Sequence, residues 1–512
     1  MIDALLIYPK LGSMDSMITD IPLSIIYAAA DSVKQGYSVK AIDLRAEKDN
    51  WKSSLKEVLE KGVLLAGISV MTGTPLHYAR EVSLFIKNNY PHTKIVWGGP
   101  HVTVLPETIE EPYLDFLIRG YGSAALAELI SCLKSGKSDY SIIKGLSYKQ
   151  NGQALHNPRC TEHEMLSFQD IPYHLIDVNS ALYRRSYIRK RFFPIFTSRG
   201  CPYHCSFCIH PAVYKDISGP KWKPYPDNEV VDHIEYIVNR FKVTHICLID
   251  DTSFVELERM KRIFKLIIQR GIKVVMEFRG ARINEIDKMD DDFLRLMVEA
   301  GGRTLLVGVE SVSDRVLETM QKGITREQIF RVNQKLRRFP QITPYYNFIY
   351  GTPFETYNDL LETKDGVLKI LRDNPQAYFG FGGDWKPIPG SEMIEAAVKK
   401  TGFRLPASID EWIEMDSSDF KVKIVHPWYT PEHNSLIKLM QVASFVIDDK
   451  VIRQTSANKS AGFRILRLFS RIYKPVALLR MKFNFHYFLI EYNIWRLLMR
   501  FMPRIKANGA LN

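Results

Sequence analysis

Apolar and polar positions divide the chain into two alternating series and a tail. From residue 1 to about 150, short apolar runs (ALLIYP, YSVKAIDL, GVLLAGISV, TKIVWGG, LDFLIRG) alternate with helical patterns such as SIIYAAADSVKQ and the stretch from Pro75 to Asn89. Alternation of this kind predicts βαβ units that build a parallel sheet. Gly67, Ser69, Gly73, Gly98, Gly99, Gly120 and Gly122 fall at or just beyond predicted strand ends. Those ends form the carboxyl edge where open α/β sheets take their ligands, and glycine there lets backbone turn tightly or come close to a bound group. No GxGxxG follows the first strand, which argues against a dinucleotide.

Residues 151–190 read as a linker, with scattered polar residues, Pro158, Pro172 and the basic run YRRSYIRKR. A second series occupies 191–400: FFPIFTSRG, VTHICLIDD, KVVMEFRGA, TLLVGVES, TPYYNFIYG and AYFGFGGD, with helical patterns such as NEVVDHIEYIVNRF and DDFLRLMVEAG between them. Six strands at that spacing predict a partial (β/α)6 barrel of the TIM type, whose function lies in the loops after the strands. Residues 401–512 lose the alternation and become helical, aromatic and basic. The fold class is therefore α/β, in two bodies followed by a mainly helical region.

Composition narrows the setting. A chain of 512 residues that is 46% hydrophobic and 25% charged has material for more than one core. Six cysteines in that length, three of them within eight consecutive positions, argue against a disulfide-stapled secreted protein and for a reducing, cytoplasmic setting. The N-terminal MIDALLIYPKLG is too short in apolar content for an export signal or a membrane span. The net charge of +12 sits almost entirely in residues 456–512, which hold eleven Lys and Arg against the single acid Glu491. The near-neutral remainder speaks against nucleic acid as a partner.

The segment TSRGCPYHCSFCIHP carries the chemistry. It follows the first strand of the second series, so Cys201, Cys205 and Cys208 stand at the functional end of the predicted barrel. Soft thiolates select iron–sulfur clusters, zinc or copper. Three ligands leave one iron of a [4Fe–4S] cluster open, free to coordinate a substrate. The competing reading is a zinc knuckle completed by His204 or His210.

The CxxxCxxC spacing, with the aromatic Phe207 before the third cysteine, resembles the signature of radical S-adenosylmethionine (SAM) enzymes. The resemblance implies that the cluster passes an electron to SAM and releases a 5′-deoxyadenosyl radical, with Phe207 near the adenine. LIDDTSF resembles the family's second-strand motif and implies Asp250 and Asp251 near the methionyl amino group. LLVGVESVSDRVLETMQKGITREQ resembles the fourth-strand region and implies Glu310 and Ser311 for ribose and carboxylate contacts. Arg282 in FRGARINEI offers a carboxylate partner. NFIYGTPFET and PIPGS resemble the ends of the fifth and sixth strands.

A Rossmann-like module ahead of such a barrel resembles the cobalamin-binding domain of the B12-dependent subgroup. The features are ISVMTGTP, WGGPHVTVLPE and DFLIRGYGS, in which Ser69, Thr72, Gly73, Gly98, Gly99, Gly120 and Gly122 are small enough to leave a slot for the cobalamin tail. DxHxxG is absent, so a cobalt ligand from that motif is not expected, and GYGS replaces the usual acidic turn. His101 in GGPHV fits a contact to the corrin periphery or tail, or a satisfied loop histidine.

Together these resemblances imply a cobalamin-dependent radical SAM enzyme of the methyltransferase kind, in which cobalamin supplies a methyl group to an unactivated carbon. Oxidative cyclisation or rearrangement by the same cofactors, and a non-enzymatic metal- or cobalamin-binding regulator, are the alternatives. A flavodoxin- or ferredoxin-type electron donor is implied. Residues 456–512 offer peripheral membrane contact: the stretch from Phe463 to Lys506 mixes apolar and aromatic residues with Arg and Lys at helix-like spacing, and Leu497, Leu498, Phe501 and Met502 alternate with Arg496, Arg500 and Arg504, as in an interfacial helix among anionic lipids at the inner membrane face. That pattern favours a lipid-like substrate, and a helical cap packed on the barrel is the alternative to membrane contact.

Overall fold

A computed structural model describes the chain except residues 13–14, 16–17, 48–49, 185–191, 381–382, 416–425, 457–458, 460, 496 and 498–512. The first strand, Ile2–Tyr8, is buried along nearly its whole length, as expected when helices cover both faces of a sheet. It lies between Val39–Asp43 and Val63–Ser69, followed by Lys94–Gly98 and Phe116–Ile118, all parallel. An antiparallel hairpin, Leu146–Gln150 with Gln153–His156, extends the sheet to seven strands. Chain direction across the sheet reverses on either side of Ile2–Tyr8, and the carboxyl edge beside that reversal is where such sheets open a crevice. The helix predicted from Pro75 to Asn89 forms as Thr74–Asn89.

The second sheet runs in sequence order through Phe193–Ile195, His245–Leu248, Val275–Arg282, Gly302–Glu310, Thr343–Tyr350 and Tyr378–Phe379, all parallel, with Gly383–Asp384 added beside Thr343–Tyr350. Its first and last strands lie at opposite edges, so the barrel is partial, as the six-strand spacing predicts. Along Thr343–Tyr350 burial alternates strictly. The buried Tyr346 reaches the outer helix Arg326–Arg337, where its hydroxyl donates to Asn333 (3.1 Å), which leaves Tyr345, Asn347 and Ile349 toward the open interior.

The two bodies share packing. Leu23, Ile26 and Tyr27 of the first body sit in the core of the barrel. Met393, Ile394 and Trp412, from helices Glu392–Thr401 and Ile409–Met415, join the core that holds Trp97 and Leu76. Helices Pro431–Val446 and Ala461–Lys482 close the barrel's far side, and Leu436, Met440, Tyr473 and Met481 enter its core. The basic run at 185–191 and most of the tail pattern from 496 onward lie outside the described residues.

Candidate active site

The cysteine loop is held before any metal is considered. A small antiparallel ribbon, Ser198–Gly200 with Trp222–Pro224, clamps its two ends. Gly200 takes φ +80°, and a Cβ there would lie 2.0 Å from the Lys221 carbonyl oxygen and 2.6 Å from the His163 ring. Only glycine permits that closure. Midway along the loop, Ser206 donates its N–H to the Met320 carbonyl (3.0 Å) and its hydroxyl to Thr319 (2.9 Å), and its own carbonyl accepts from Met393 N–H (2.8 Å).

Cys201, Cys205 and Cys208 are all free thiols. Cys205 is buried, and its Sγ accepts from the Arg282 guanidinium at 3.3 Å. The backbone N–H of His210 donates to Cys208 Sγ at 3.4 Å. Burial pushes the Cys208 thiol up, but hydrogen bonds and charge from His210 outweigh it and hold the thiol below its ordinary value. Thiolate is the form that binds metal, so this donor set fits an iron–sulfur cluster. Among the described residues, no three His, Cys, Asp or Glu side chains converge on one point as a single ion requires. A cluster takes one thiolate per iron and needs no such convergence.

Around the loop the expected SAM residues divide into two groups. Asp251, Arg282, Glu310 and Phe207 gather close to the cysteines. Asp251 accepts from the Tyr214 hydroxyl (2.9 Å) and lies 3.4 Å from His210 Nε2. Arg282 stacks over the Tyr203 ring at 3.7 Å and donates to the Lys322 carbonyl (2.7 Å). Glu310, with φ +69°, pairs with Lys322 at 2.7 Å, and the Lys322 ammonium sits 5.4 Å above the Phe207 ring. Gly308 makes room for that pair, since a Cβ there would meet Glu310 Oε1 at 2.4 Å.

Asp250 and Ser311 are engaged elsewhere. Both Asp250 oxygens are consumed by Thr197 (2.6 Å to N, 2.7 Å to Oγ1) and by Ser198 N (2.9 Å), so its carboxylate fixes the strand end that leads into the loop. Ser311 is fully buried against Thr363 Oγ1 at 2.9 Å.

Sequence reasoning assigned no role to Lys322, Tyr203 or Glu285. Glu285 accepts from Thr252 (2.7 Å) and Tyr203 (3.0 Å), joining the second strand's end to the loop. Their signal was weak, because each depends on a partner distant along the chain. Only the QKG turn after the fourth-strand motif marked Lys322.

The glycine edge of the first sheet faces this loop. Gly99 and Gly120 line a cavity with Thr103 and Tyr121, and its opposite wall is Val213, Tyr214 and Ile217 from just beyond the cysteines. Gly99 has φ +121°, and a Cβ there would lie 2.5 Å from the Val70 carbonyl oxygen. Gly120, at φ +89°, has open space where a side chain would be. Thr103 Oγ1 bridges the two by donating to the Gly99 carbonyl (2.8 Å) and accepting from Gly120 N–H (2.9 Å). The open backbone at Gly120 beside the Tyr121 and Tyr214 rings suits the edge of a large planar group, and the Arg159–Asp216 ion pair (2.5 Å) and Cys160 join the lining. Ser69, Thr72, Gly73, Gly98 and Gly122 lie along the same sheet edge outside that lining.

His101 is completely buried, with Nδ1 on Thr72 Oγ1 at 2.9 Å, Nε2 without a partner, and Trp412 packed edge-on at 6.2 Å. Burial pulls its pKa down to about 4, so it is neutral at ordinary pH.

Comparison with known proteins finds two matched regions. Residues 12–130 match the B12 binding domain and residues 195–366 the radical SAM superfamily. An uncharacterized methyltransferase of Pyrococcus horikoshii is 28% identical over 434 residues, covering 84% of this chain and 89% of that one. The anaerobic magnesium-protoporphyrin IX monomethyl ester cyclase of Rubrivivax gelatinosus is 28% identical over 334 residues, 63% of this chain and 56% of the cyclase. The solved structure of OxsB, a cobalamin-dependent S-adenosylmethionine radical enzyme with aqua-cobalamin and S-adenosylmethionine bound, superposes with a TM-score of 0.69 at 17% identity, covering 98% of this chain and 75% of that one.

Proposed function

The chain belongs to the cobalamin-dependent radical SAM family, with a [4Fe–4S] cluster, S-adenosylmethionine and cobalamin as its cofactors, and from that premise we propose that it methylates an unactivated carbon of a small or lipid-like molecule. One observation carries the reading: Tyr214 stands in the wall of the glycine-edged cavity and also donates to Asp251 beside the cysteine loop, so the two cofactor faces meet at one residue. Methylation is favoured over cyclisation because the methyltransferase likeness spans 84% of the chain and 89% of its relative, against 63% and 56% for the cyclase.

When bound, the cluster and cobalamin supply electron transfer into the SAM sulfonium and a transferable methyl group. The chain's own residues set the conditions. Cys201, Cys205 and Cys208 would hold the cluster, and the Arg282 guanidinium donates to the Cys205 sulfur and fixes its place in the loop. Lys322 and Glu310 present one positive and one negative group beside Phe207, suited to the carboxylate and hydroxyl ends of SAM with the adenine against the ring. Tyr214 keeps its proton, since burial and the neighbouring Asp251 push its pKa far up, and so donates a fixed hydrogen bond to Asp251 Oδ2. Gly120 leaves open space at the sheet edge where cobalamin would lie, and Gly99 lets the strand end pack closely on the Val70 backbone. A flavodoxin- or ferredoxin-type donor and contact with a membrane surface complete the proposal.

Anaerobic purification tests it. Protein with about four irons per chain, corrinoid absorbance and reductant-dependent release of 5′-deoxyadenosine from SAM is expected. A colourless protein with one zinc and no SAM cleavage overturns it. With methyl-labelled SAM, label in the product marks methylation, and an unlabelled oxidised product marks cyclisation.

A further inference from the structure

The helix Ala461–Lys482 is apolar on two sides. Phe463, Leu466, Tyr473, Ala477 and Met481 form one stripe, and they are buried. Ile465, Leu468, Ile472, Val476 and Leu479 recur at intervals of three and four on the other side, and all are exposed, Ile472 by 66% and Leu479 by 57%. The exposed stripe runs on into Phe483, Phe485, Tyr487 and Phe488, and then to Ile490, Ile494 and Leu497. Most of the large exposed hydrophobic residues described in the chain fall in this one stretch, and a contiguous patch of that kind marks an interaction surface.

Charge says which surface it meets. Arg464, Arg471 and Lys482 are exposed, and their spacings of seven and eleven residues set them along one edge of the stripe. None of the three has an ion pair among the described residues. The other cations of the helix are already engaged: Arg467 with the Thr455 carbonyl (2.6 Å), Lys474 with Asp449 (2.6 Å) and Arg480 with Glu491 (3.0 Å). An apolar stripe with a free cationic edge and exposed aromatics at its end complements an anionic lipid surface. No described helix is long and apolar enough to cross a membrane.

The helix is also fixed to the barrel. The buried Lys364 ammonium donates to the Met481 carbonyl (2.8 Å), and the Tyr357 hydroxyl meets His486 Nε2 at 2.7 Å. Both partners come from helix Tyr357–Asp373, which follows the fifth barrel strand.

We propose that the outer face of Ala461–Lys482, with the aromatic turn after it, is a docking surface for an anionic bilayer and holds the barrel in a set orientation at the lipid surface. This deepens the membrane contact of the preceding section and is independent of the chemistry proposed there. Within the stretch 456–512, expected from sequence to meet a membrane, it narrows the contact to the outer face of this helix and the turn after it.

Sedimentation of the full-length holoprotein with vesicles tests the proposal. The protein should pellet with phosphatidylcholine vesicles containing phosphatidylglycerol and pellet less with phosphatidylcholine alone. I472E/L479E, at exposed positions, should reduce the pelleted fraction by roughly tenfold, with iron content and 5′-deoxyadenosine release unchanged. R464Q/R471Q/K482Q should abolish only the preference for anionic vesicles. Wild-type protein left in the supernatant with both vesicles, or unaltered pelleting of I472E/L479E, overturns the proposal. So does gel filtration without vesicles in which I472E/L479E turns a dimer into a monomer, since a second copy would then cover the face. SAM cleavage, measured on the same samples, reports separately on the proposed reaction.

Discussion

The two facing edges of this molecule prepare for their ligands in opposite ways. At the barrel edge the loop is crowded with charge: Arg282 on Cys205, Lys322 on Glu310, and Asp251 beside His210 and Tyr214. At the sheet edge, binding capacity comes from what is missing. Gly120 exposes bare backbone, Gly99 admits the close approach of Val70, and the nearest titratable side chain in the motif, His101, is buried and neutral. Charged edges recognise by hydrogen bonds and ion pairs, which are few and directional. A bare edge recognises by shape, and is damaged by adding atoms where the other is damaged by removing them.

That contrast can be broken in four places. The largest effect is expected at the loop: Cys205→Ala should bring bound iron and SAM cleavage to background while corrinoid binding persists, measured by iron assay and visible absorbance. Loss of both cofactors together would mean that the edges are not separable.

At the sheet edge, His101 should govern acid sensitivity. Its folded pKa of about 4 lies below the ordinary value of 6.5, so between those pH values the unfolded chain binds the extra proton and stability falls as pH drops. The contribution is about 3 kcal/mol across that window. His101→Leu should flatten this part of the stability–pH curve in denaturant titrations, and an unchanged slope would show that His101 is hydrated.

Gly99→Ala adds one methyl group. The backbone conformation there is nearly restricted to glycine, so about 2 kcal/mol of stability should be lost. The Cβ would also press on the Val70 carbonyl, so corrinoid content should fall with iron retained. The smallest effect is expected from Arg282→Lys, which keeps the charge and loses the fork between Cys205 and the Lys322 carbonyl. Cluster loss to a chelator should quicken several-fold with initial iron content unchanged.

Much of this organisation was legible in the order of residues. Six strands at barrel spacing, the cysteine triplet and the glycine-ended first series all report local facts, and the structure places them as expected. Pairs remote in sequence were not legible. Lys322 meets Glu310 only because a positive-φ residue ends the fourth strand and Gly308 leaves room below. Asp250, expected near SAM, spends both oxygens on Thr197 and Ser198, because a buried carboxylate takes the nearest unpaired N–H groups. The stretch that holds Ala461–Lys482 was legible as a basic, aromatic pattern suited to a membrane surface, but a helix apolar on two sides shows a blurred period, and only packing reveals which side is left over.

The ribbon that joins Ser198–Gly200 to Trp222–Pro224 bears on the order of assembly. A free loop of this length would have to be gathered by its metal, and the entropy of closure would be set against binding. Here backbone pairing, Gly200 and the three hydrogen bonds of Ser206 have already drawn the ends together. Backbone contacts therefore carry part of the closure cost that cluster binding would otherwise meet alone.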